Sequence, residues 1–341
     1  MSGLTGMPPP KLQDMFQVVN IDDAVAEHFP AGSRLIAARP HGASSWARTA
    51  RIDLELVDKT EQRYFMKVAT GDVGLGMLRG EYHGISMLYK LAPNNIPRPI
   101  AWGTYKTDPE THYYLCEFID MIEELPDVRS FCSMLAKLHH DSIVLPDAPH
   151  RFGFPVVTYE GSMYQDVTWC DTWEESFSLH LKAFTDQERI SQGPSKELDE
   201  LLPPLMNKVI PRLLRPLQTN GRNIKPVVVH GDIWYGNIAT NAETGEPVMF
   251  DPSVFWGHNE YDLDNMAVPR YRLGRHWMEE YHKHFPISDP QEDYEDRNTL
   301  YAIRGHFCAS TLYPNNQTFR KTAIEEIKKL VEKYPDGYQG E

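Results

Sequence analysis

Residues 228–238 read VVHGDIWYGNI, and residues 250–253 read FDPS. A short apolar run ends in His230-Gly231-Asp232, passes a tryptophan and reaches Asn237. A second apolar run, PVMF, then delivers Asp251. The bland account is a turn rich in Gly and Asn with solvated acids. The spacing favours a catalytic loop instead. A carboxylate followed, after four intervening residues, by an amide on a loop leaving a strand suits metal-assisted phosphoryl transfer. Asp232 would accept a hydroxyl proton, and the Asn237 side-chain oxygen would hold Mg2+. Asp251, ending the next strand, would add an anionic oxygen of the kind magnesium prefers.

A second pair belongs to the same chemistry. Residues 51–57 (RIDLELV) and 63–69 (RYFMKVA) alternate as strands, with DKTEQ as a hairpin connection. Phe65, Lys67 and Ala69 then share one face. Residues 77–91 carry helical spacing, with Leu78, Ile85, Leu88 and Glu81 on one side. A carboxylate on an apolar helix face needs a cationic partner, because an unpaired buried charge is costly. Lys67 is the candidate, held straight against nucleotide phosphates by Glu81. A phosphate-covering loop is expected within RPHGASSWARTAR (39–51), where Gly42 and the backbone N–H groups of Ala43, Ser44 and Ser45 can reach phosphate oxygens. GDVGLGMLRG (71–80) fits neither the G-x-G-x-x-G nor the Walker pattern. It reads as a flexible link into the Glu81 helix.

The chain has 341 residues, enough for two lobes with sizeable cores. Hydrophobic residues make up 41% and charged residues 24%, ordinary values for an ordered soluble chain. A net charge of −14 argues against nucleic acid or an anionic membrane as the main partner. No apolar run is long enough to span a bilayer, and residues 1–16 do not resemble a signal peptide. Cys116, Cys132, Cys170 and Cys308 are scattered, so neither a disulfide framework nor a zinc site is expected. The location read from this is cytoplasmic.

Residues 1–15 read as loosely ordered. Strands concentrate in the first third, with IPRPIAWGTY (96–105) and HYYLCEFID (112–120) completing the set. Helical patterns follow at 129–140, 173–184, 196–218, 264–284, 294–312 and 319–333. This segregation predicts an α+β fold: a β-rich nucleotide-binding lobe over 1–119, and a larger helical lobe with catalytic loop and acceptor site over 120–341.

HGDIWYGN and FDPSVFWGHNEYDLD resemble the fructosamine/ketosamine 3-kinases, within the aminoglycoside phosphotransferase branch of the protein-kinase-like fold. The resemblance extends to FMKVA, LRGEYHGISML, LCEFIDM, LAKLHHDS and FGFPVVTYEGSMYQDVTWCDTWEESF, over residues 20–335. It implies a bilobal kinase using ATP and Mg2+ to phosphorylate the 3-hydroxyl of ribulosamine or fructosamine adducts, on protein lysines or small amines. It implies Asp232 as base, Asn237 and Asp251 as magnesium ligands, and Lys67 with Glu81 on the phosphates. Glu117, Phe118 and Ile119 would meet adenine. The chain departs from the family in its phosphate loop, which has one glycine and no cysteine; no thiol switch is expected there.

Trp234, two residues past the base, either borders the sugar pocket or packs beneath the helical lobe. His258, Glu260 and Asp262 either touch the substrate amine or brace the loop after Asp251. His230 reads as a loop anchor, His139 and His140 as packing residues, Trp169 and Trp173 as core, and the acids of EELPD (123–127) as solvated. Two other functions remain open: another hydroxyl kinase of the aminoglycoside or choline type, and a nucleotide-binding pseudokinase. Oligomeric state is open.

Overall fold

The computed structural model describes residues 19–42, 44–122 and 124–340; the expected loose segment 1–15 lies outside them. A short helix α1 (Asp23–Ala26) precedes β1 (Arg34–Pro40), β2 (Arg48–Glu55) and β3 (Glu61–Thr70). The β2–β3 connection is a tight turn in which Asp58 accepts from the Thr60 N–H (3.0 Å) and hydroxyl (2.6 Å). Helix α2 (Gly71–Leu91), β4 (Pro99–Thr104) and β5 (Thr111–Glu117) follow. The strands form one antiparallel sheet in the order β1-β2-β3-β5-β4. The alternation in β3 divides its side chains. Met66 and Val68 pack with Ile52, Leu54 and Leu115 on the α1 side, whereas Ala69 joins Leu78, Ile85 and Leu88 of α2.

Helix α2 starts six residues earlier than its periodicity suggested, so GDVGLGMLRG is helix rather than a flexible link. Its glycines serve close packing. A Cβ on Gly76 would lie 2.4 Å from the Tyr159 hydroxyl, and one on Gly80 would lie 2.6 Å from the Val157 carbonyl. The helix can therefore lie directly against a segment of the second lobe.

The chain crosses between lobes after β5. Strand β6 (Met121–Ile122) already pairs with β10 (Ile238–Asn241), which also pairs with β11 (Pro247–Met249). Between them come α3 (Val128–Ile143), the hairpin β7 (Tyr159–Glu160) and β8 (Met163–Tyr164), α4 (Trp173–Gln192), α5 (Lys196–Pro204), α6 (Ile210–Leu214) and β9 (Val227–Val229). Asp127 caps α3 through the Ser130 N–H, and Thr172 caps α4 through the Glu175 N–H. The helix expected over 196–218 is broken into α5, a π turn at 205–209, α6 and a 3-10 turn, with Pro203, Pro204, Pro211 and Pro216 along it.

After β12 (Phe255–Gly257), the expected helix at 264–284 is absent over its first half. Residues 259–263 and 269–271 are 3-10 turns, and α7 (Arg275–His282) begins only after Gly274, at φ 91°. Helices α8 (Tyr294–Leu312) and α9 (Thr318–Lys333) close the lobe. Helix α8 is buried on nearly all sides and carries two fully buried arginines, Arg297 and Arg304.

Candidate active site

Strand β9 ends at Val229 and pairs with β12, so the loops entering and leaving the strands run side by side. Ser253 N–H donates to the His230 carbonyl at 2.8 Å. Gly231 adopts φ +84°, and a Cβ there would meet the Ser253 carbonyl at 2.3 Å, so position 231 is limited to glycine on both counts. The Asp262 carboxylate receives the backbone N–H groups of His230 (2.8 Å) and Gly231 (2.7 Å). His139 lies 3.1 Å from the same carboxylate and 2.7 Å from the Tyr281 hydroxyl. The His230 ring bonds the Phe250 carbonyl at 3.0 Å, tying the Asp232 loop to the strand that delivers Asp251.

Asn237 joins the two acids. Its Nδ2 donates to the Asp232 carboxylate (2.8 Å), the Asp232 carbonyl (2.9 Å) and the Asp251 carbonyl (3.3 Å). Asp251 itself has φ 54°, a left-handed conformation that a non-glycine residue adopts only when its surroundings hold it there. From this position its carboxylate reaches Lys67 Nζ at 2.6 Å, while Glu81 reaches the same ammonium at 2.7 Å. Two carboxylates thus share one cation. Burial pushes Glu81 up to about 7, the Lys67 ammonium pulling the other way and Asp251 adding to the push. Lys67 is held above its ordinary value: burial opposes its charge, but Asp251 and Glu81 outweigh it.

A cavity of about 370 Å3 opens beside this cluster, lined among others by Gly42, Ser44, Lys67, Glu117, Phe118 and Ile119. The expected phosphate-loop and hinge residues therefore face one cleft, except Ser45, which is exposed and off the lining, and Ala43, which lies outside the described residues. Ser44 Oγ accepts from the N–H groups of Trp46 and Ala47, both at 3.2 Å, folding the loop back on itself. At its other end His41 packs edge-on against Phe118 at 4.8 Å. The Phe118 N–H is taken by the Arg63 carbonyl and the Glu117 N–H by the Arg98 carbonyl.

Asp232 faces a second cavity, of about 600 Å3, together with Trp234, Tyr235, Glu160 and Arg270. Trp234 is half-buried, edge-on to Tyr235 and to Tyr271. Beneath lies an ion group that local sequence does not signal. The fully buried Arg304 bonds Glu160 from the β7–β8 hairpin and Asp264 (2.7 Å). Burial raises the Asp232 carboxyl well above its usual range; Glu160 and Asp264 add to this, while Arg304 and the Asn237 hydrogen bond oppose it.

His258 and Glu260 do not reach this cavity. Glu260 is fully enclosed, paired with Arg297 at 2.9 Å and accepting the Ser288 N–H at 2.8 Å. His258 is fully buried between the hydroxyls of Tyr301 (3.0 Å) and Ser288 (2.9 Å). Burial lowers its pKa to about 4, so it is neutral. Of the two readings for GHNEYDLD, bracing is the one the geometry fits. The part braced by Asp262 is the Asp232 loop, not the loop after Asp251. Trp173 is core, donating to the Tyr301 hydroxyl at 2.8 Å; Trp169 is half-buried; His140 stacks on Phe285. Glu124 and Asp127 are exposed, and Glu123 lies outside the described residues.

The donor set suits a hard divalent cation. Among the described residues the Asn237 side chain makes its hydrogen bonds through Nδ2, so Oδ1 could serve a cation. The Asp251 side chain is 46% exposed toward the cleft, and the excess carboxylate around Lys67 is a charge that a cation would offset.

The family model for fructosamine kinase matches residues 41–333. The chain is 29% identical over 276 residues to a chloroplastic protein-ribulosamine 3-kinase of Oryza sativa subsp. indica, covering 79% of this chain and 73% of the relative. It is 27% identical over 226 residues to a ketosamine-3-kinase of Mus musculus, covering 60% and 70%. Among solved structures, a candidate fructosamine-3-kinase from Thermobifida fusca YX-ER1 superimposes with a TM-score of 0.71 at 19% identity, over 92% of this chain and 100% of the other. A thermostable mutant of aminoglycoside phosphotransferase APH(4)-Ia, in ternary complex with AMP-PNP and hygromycin B, gives 0.55 at 13% identity, over 92% and 98%. These two likenesses are of fold, and they place the chain in the bilobal protein-kinase-like class. With the family match covering most of its length, the chain belongs to the fructosamine kinase family.

Proposed function

We propose that the protein is an ATP-dependent ketosamine 3-kinase, with residues 1–119 as the nucleotide lobe and 120–341 as the acceptor lobe. The observation that carries this reading is the arrangement of Asp232. Asn237 holds its carboxylate at 2.8 Å, and it lines an aromatic-walled cavity that is separate from the Lys67 cleft. The sugar hydroxyl would enter from that cavity and ATP from the Lys67 side. Asp232 takes the hydroxyl proton as the oxygen attacks the γ-phosphorus, the bond from that phosphorus to the β,γ-bridging oxygen breaks, and ADP leaves. Lys67, oriented by Glu81, holds phosphate oxygens. Asn237 Oδ1 and Asp251 would hold Mg2+, which when bound offsets phosphate charge. The Ile119 N–H, which has no protein partner among the described residues, is free to meet the adenine edge. Trp234 offers an aromatic face to the sugar C–H groups.

The related plant and mouse enzymes, named for ribulosamine and ketosamine, support this acceptor class. The acceptors are ketosamine-modified protein lysines or small ketosamines. Four buried, unpaired cysteines suit a reducing compartment such as the cytoplasm, and among the described residues no helix is long and apolar enough to cross a membrane.

The test is ATP turnover with Mg2+ against ribulosyl-lysine, fructosyl-lysine, choline and an aminoglycoside, with Asp232→Ala as control. Ketosamine-dependent turnover that vanishes in the control is expected. Turnover only with choline or the aminoglycoside would assign a sibling kinase. ATP binding with no turnover on any acceptor would assign a pseudokinase.

A further inference from the structure

The loop between β1 and β2 lines both cavities. His41, Gly42 and Ser44 face the nucleotide cleft, whereas Trp46, two residues on, lies on the wall of the acceptor cavity with Asp232 and Trp234. Ser44, on the nucleotide side, is tied to Trp46 by more than the chain, because its Oγ accepts the N–H of Trp46 at 3.2 Å. The indole reaches across to the second lobe and rests on the turn of the β7–β8 hairpin. An ideal Cβ on Gly161 would lie 3.0 Å from Trp46 Nε1 and 2.8 Å from Leu312 Cδ1. Gly161 also has φ +58°. The absence of a side chain there leaves the space the indole occupies, next to Glu160 on the cavity floor.

We propose that Trp46 is a wall of the acceptor site carried by the nucleotide loop, so that filling the nucleotide cleft sets the acceptor pocket. The proposal rests on the assignment of the two cavities given above. Phosphates drawing the Ser44 end of the loop into place fix Trp46 over the acceptor. An acceptor stacked against Trp46 holds the loop over the phosphates in return. Linkage makes the coupling reciprocal: the factor by which nucleotide tightens acceptor binding equals the factor by which acceptor tightens nucleotide binding. Trp46 is half-buried and Ser44 Oγ bonds only its backbone, so shortening the side chain leaves the loop turn intact.

The experiment is isothermal titration of the whole protein with AMP-PNP and Mg2+, and with fructosyl-lysine, each alone and in the presence of the other. It is run on wild type, Trp46→Ala and Trp46→Phe. In wild type each ligand is expected to tighten the other on the order of tenfold. In Trp46→Ala the factor falls to about one, and AMP-PNP affinity without acceptor stays within about twofold. Trp46→Phe, which keeps a ring, retains part of the coupling and folds even where the alanine variant does not. In turnover, Trp46→Ala raises the acceptor KM and leaves the ATP KM at low acceptor unchanged. Two independent binding events in wild type would overturn the inference and leave the kinase assignment standing. Full coupling in Trp46→Ala would do the same. Failure of wild type to bind AMP-PNP would overturn both.

Discussion

The Asp262→Asn substitution is the sharpest probe of how the Asp232 loop is held. The Asp262 carboxylate is fully buried and accepts two backbone N–H groups, from His230 at 2.8 Å and Gly231 at 2.7 Å, with His139 at 3.1 Å. An amide of the same shape keeps one acceptor oxygen and turns an NH2 toward a backbone donor. One charge-assisted hydrogen bond, worth about 1.5–3 kcal/mol, is lost, and a buried N–H is left unsatisfied at a cost of about 1–3 kcal/mol. The net expectation is a destabilisation of about 3–5 kcal/mol. At the roughly 1.4 °C per kcal/mol appropriate to a chain of this size, the melting temperature falls by about 4–7 °C. Because the affected donors sit immediately before Asp232, kcat should fall by about a hundredfold while the acceptor KM moves by less than about threefold. Thermal melts and steady-state kinetics on fructosyl-lysine read both quantities. An acceptor KM raised tenfold with an unchanged melting temperature would refute the reasoning, since that is the signature of a residue that touches substrate.

Asp232→Asn keeps the hydrogen bond to Asn237 but removes the base, so turnover should drop by about 10²–10⁴-fold with AMP-PNP affinity retained; unchanged kcat would dismiss the base assignment. Because burial and Glu160 raise the Asp232 carboxyl above its usual 3.8, the acid limb of kcat/KM should lie above that value, activity falling as pH drops through it. Glu260→Gln leaves the enclosed Arg297 without its carboxylate and should cost about 3–5 kcal/mol in a denaturant titration, with the acceptor KM unchanged. Glu81, raised from 4.5 to about 7, binds its proton more tightly in the folded than in the unfolded chain. Its contribution to stability is therefore greatest below pH 4.5 and is lost as pH rises through 7. The melting temperature of the unliganded wild type, relative to Glu81→Gln, should decline over that window, and a flat difference would contradict the crowding of two carboxylates on Lys67.

Relations carried by backbone-local spacing are legible in the sequence. Asp232 and Asn237 share one loop, and the loop's geometry follows from Gly231 and from a strand end, so five positions of sequence carry the relation. Lys67 and Glu81 pair for a different physical reason. A carboxylate on an apolar helix face demands a cation, and the preceding strand offered one; the structure brings them to 2.7 Å. The same local reasoning misjudged α2. Glycine density reads locally as flexibility because the partner surface at Val157–Tyr159, some eighty residues away, leaves no trace near residues 76–80. It also overextended the helix at 264–284, where apolar spacing continues through turns made by Pro269, Arg272 and Gly274.

What the sequence by itself determined is the class of chemistry and the order of the lobes: period-two strands first, helices after, and a loop whose acid and amide are set by short-range spacing, with a second acid at the end of a following strand. Only the tertiary structure decided which groups surround that loop. Glu160 and Arg304 meet across 144 positions, Asp262 reaches His230 across 32, and Trp46 rests on a hairpin of the other lobe. In each case a buried charge or ring finds its partner through packing. Such partners are chosen by desolvation, which penalises any buried charge left alone and has no period along the chain.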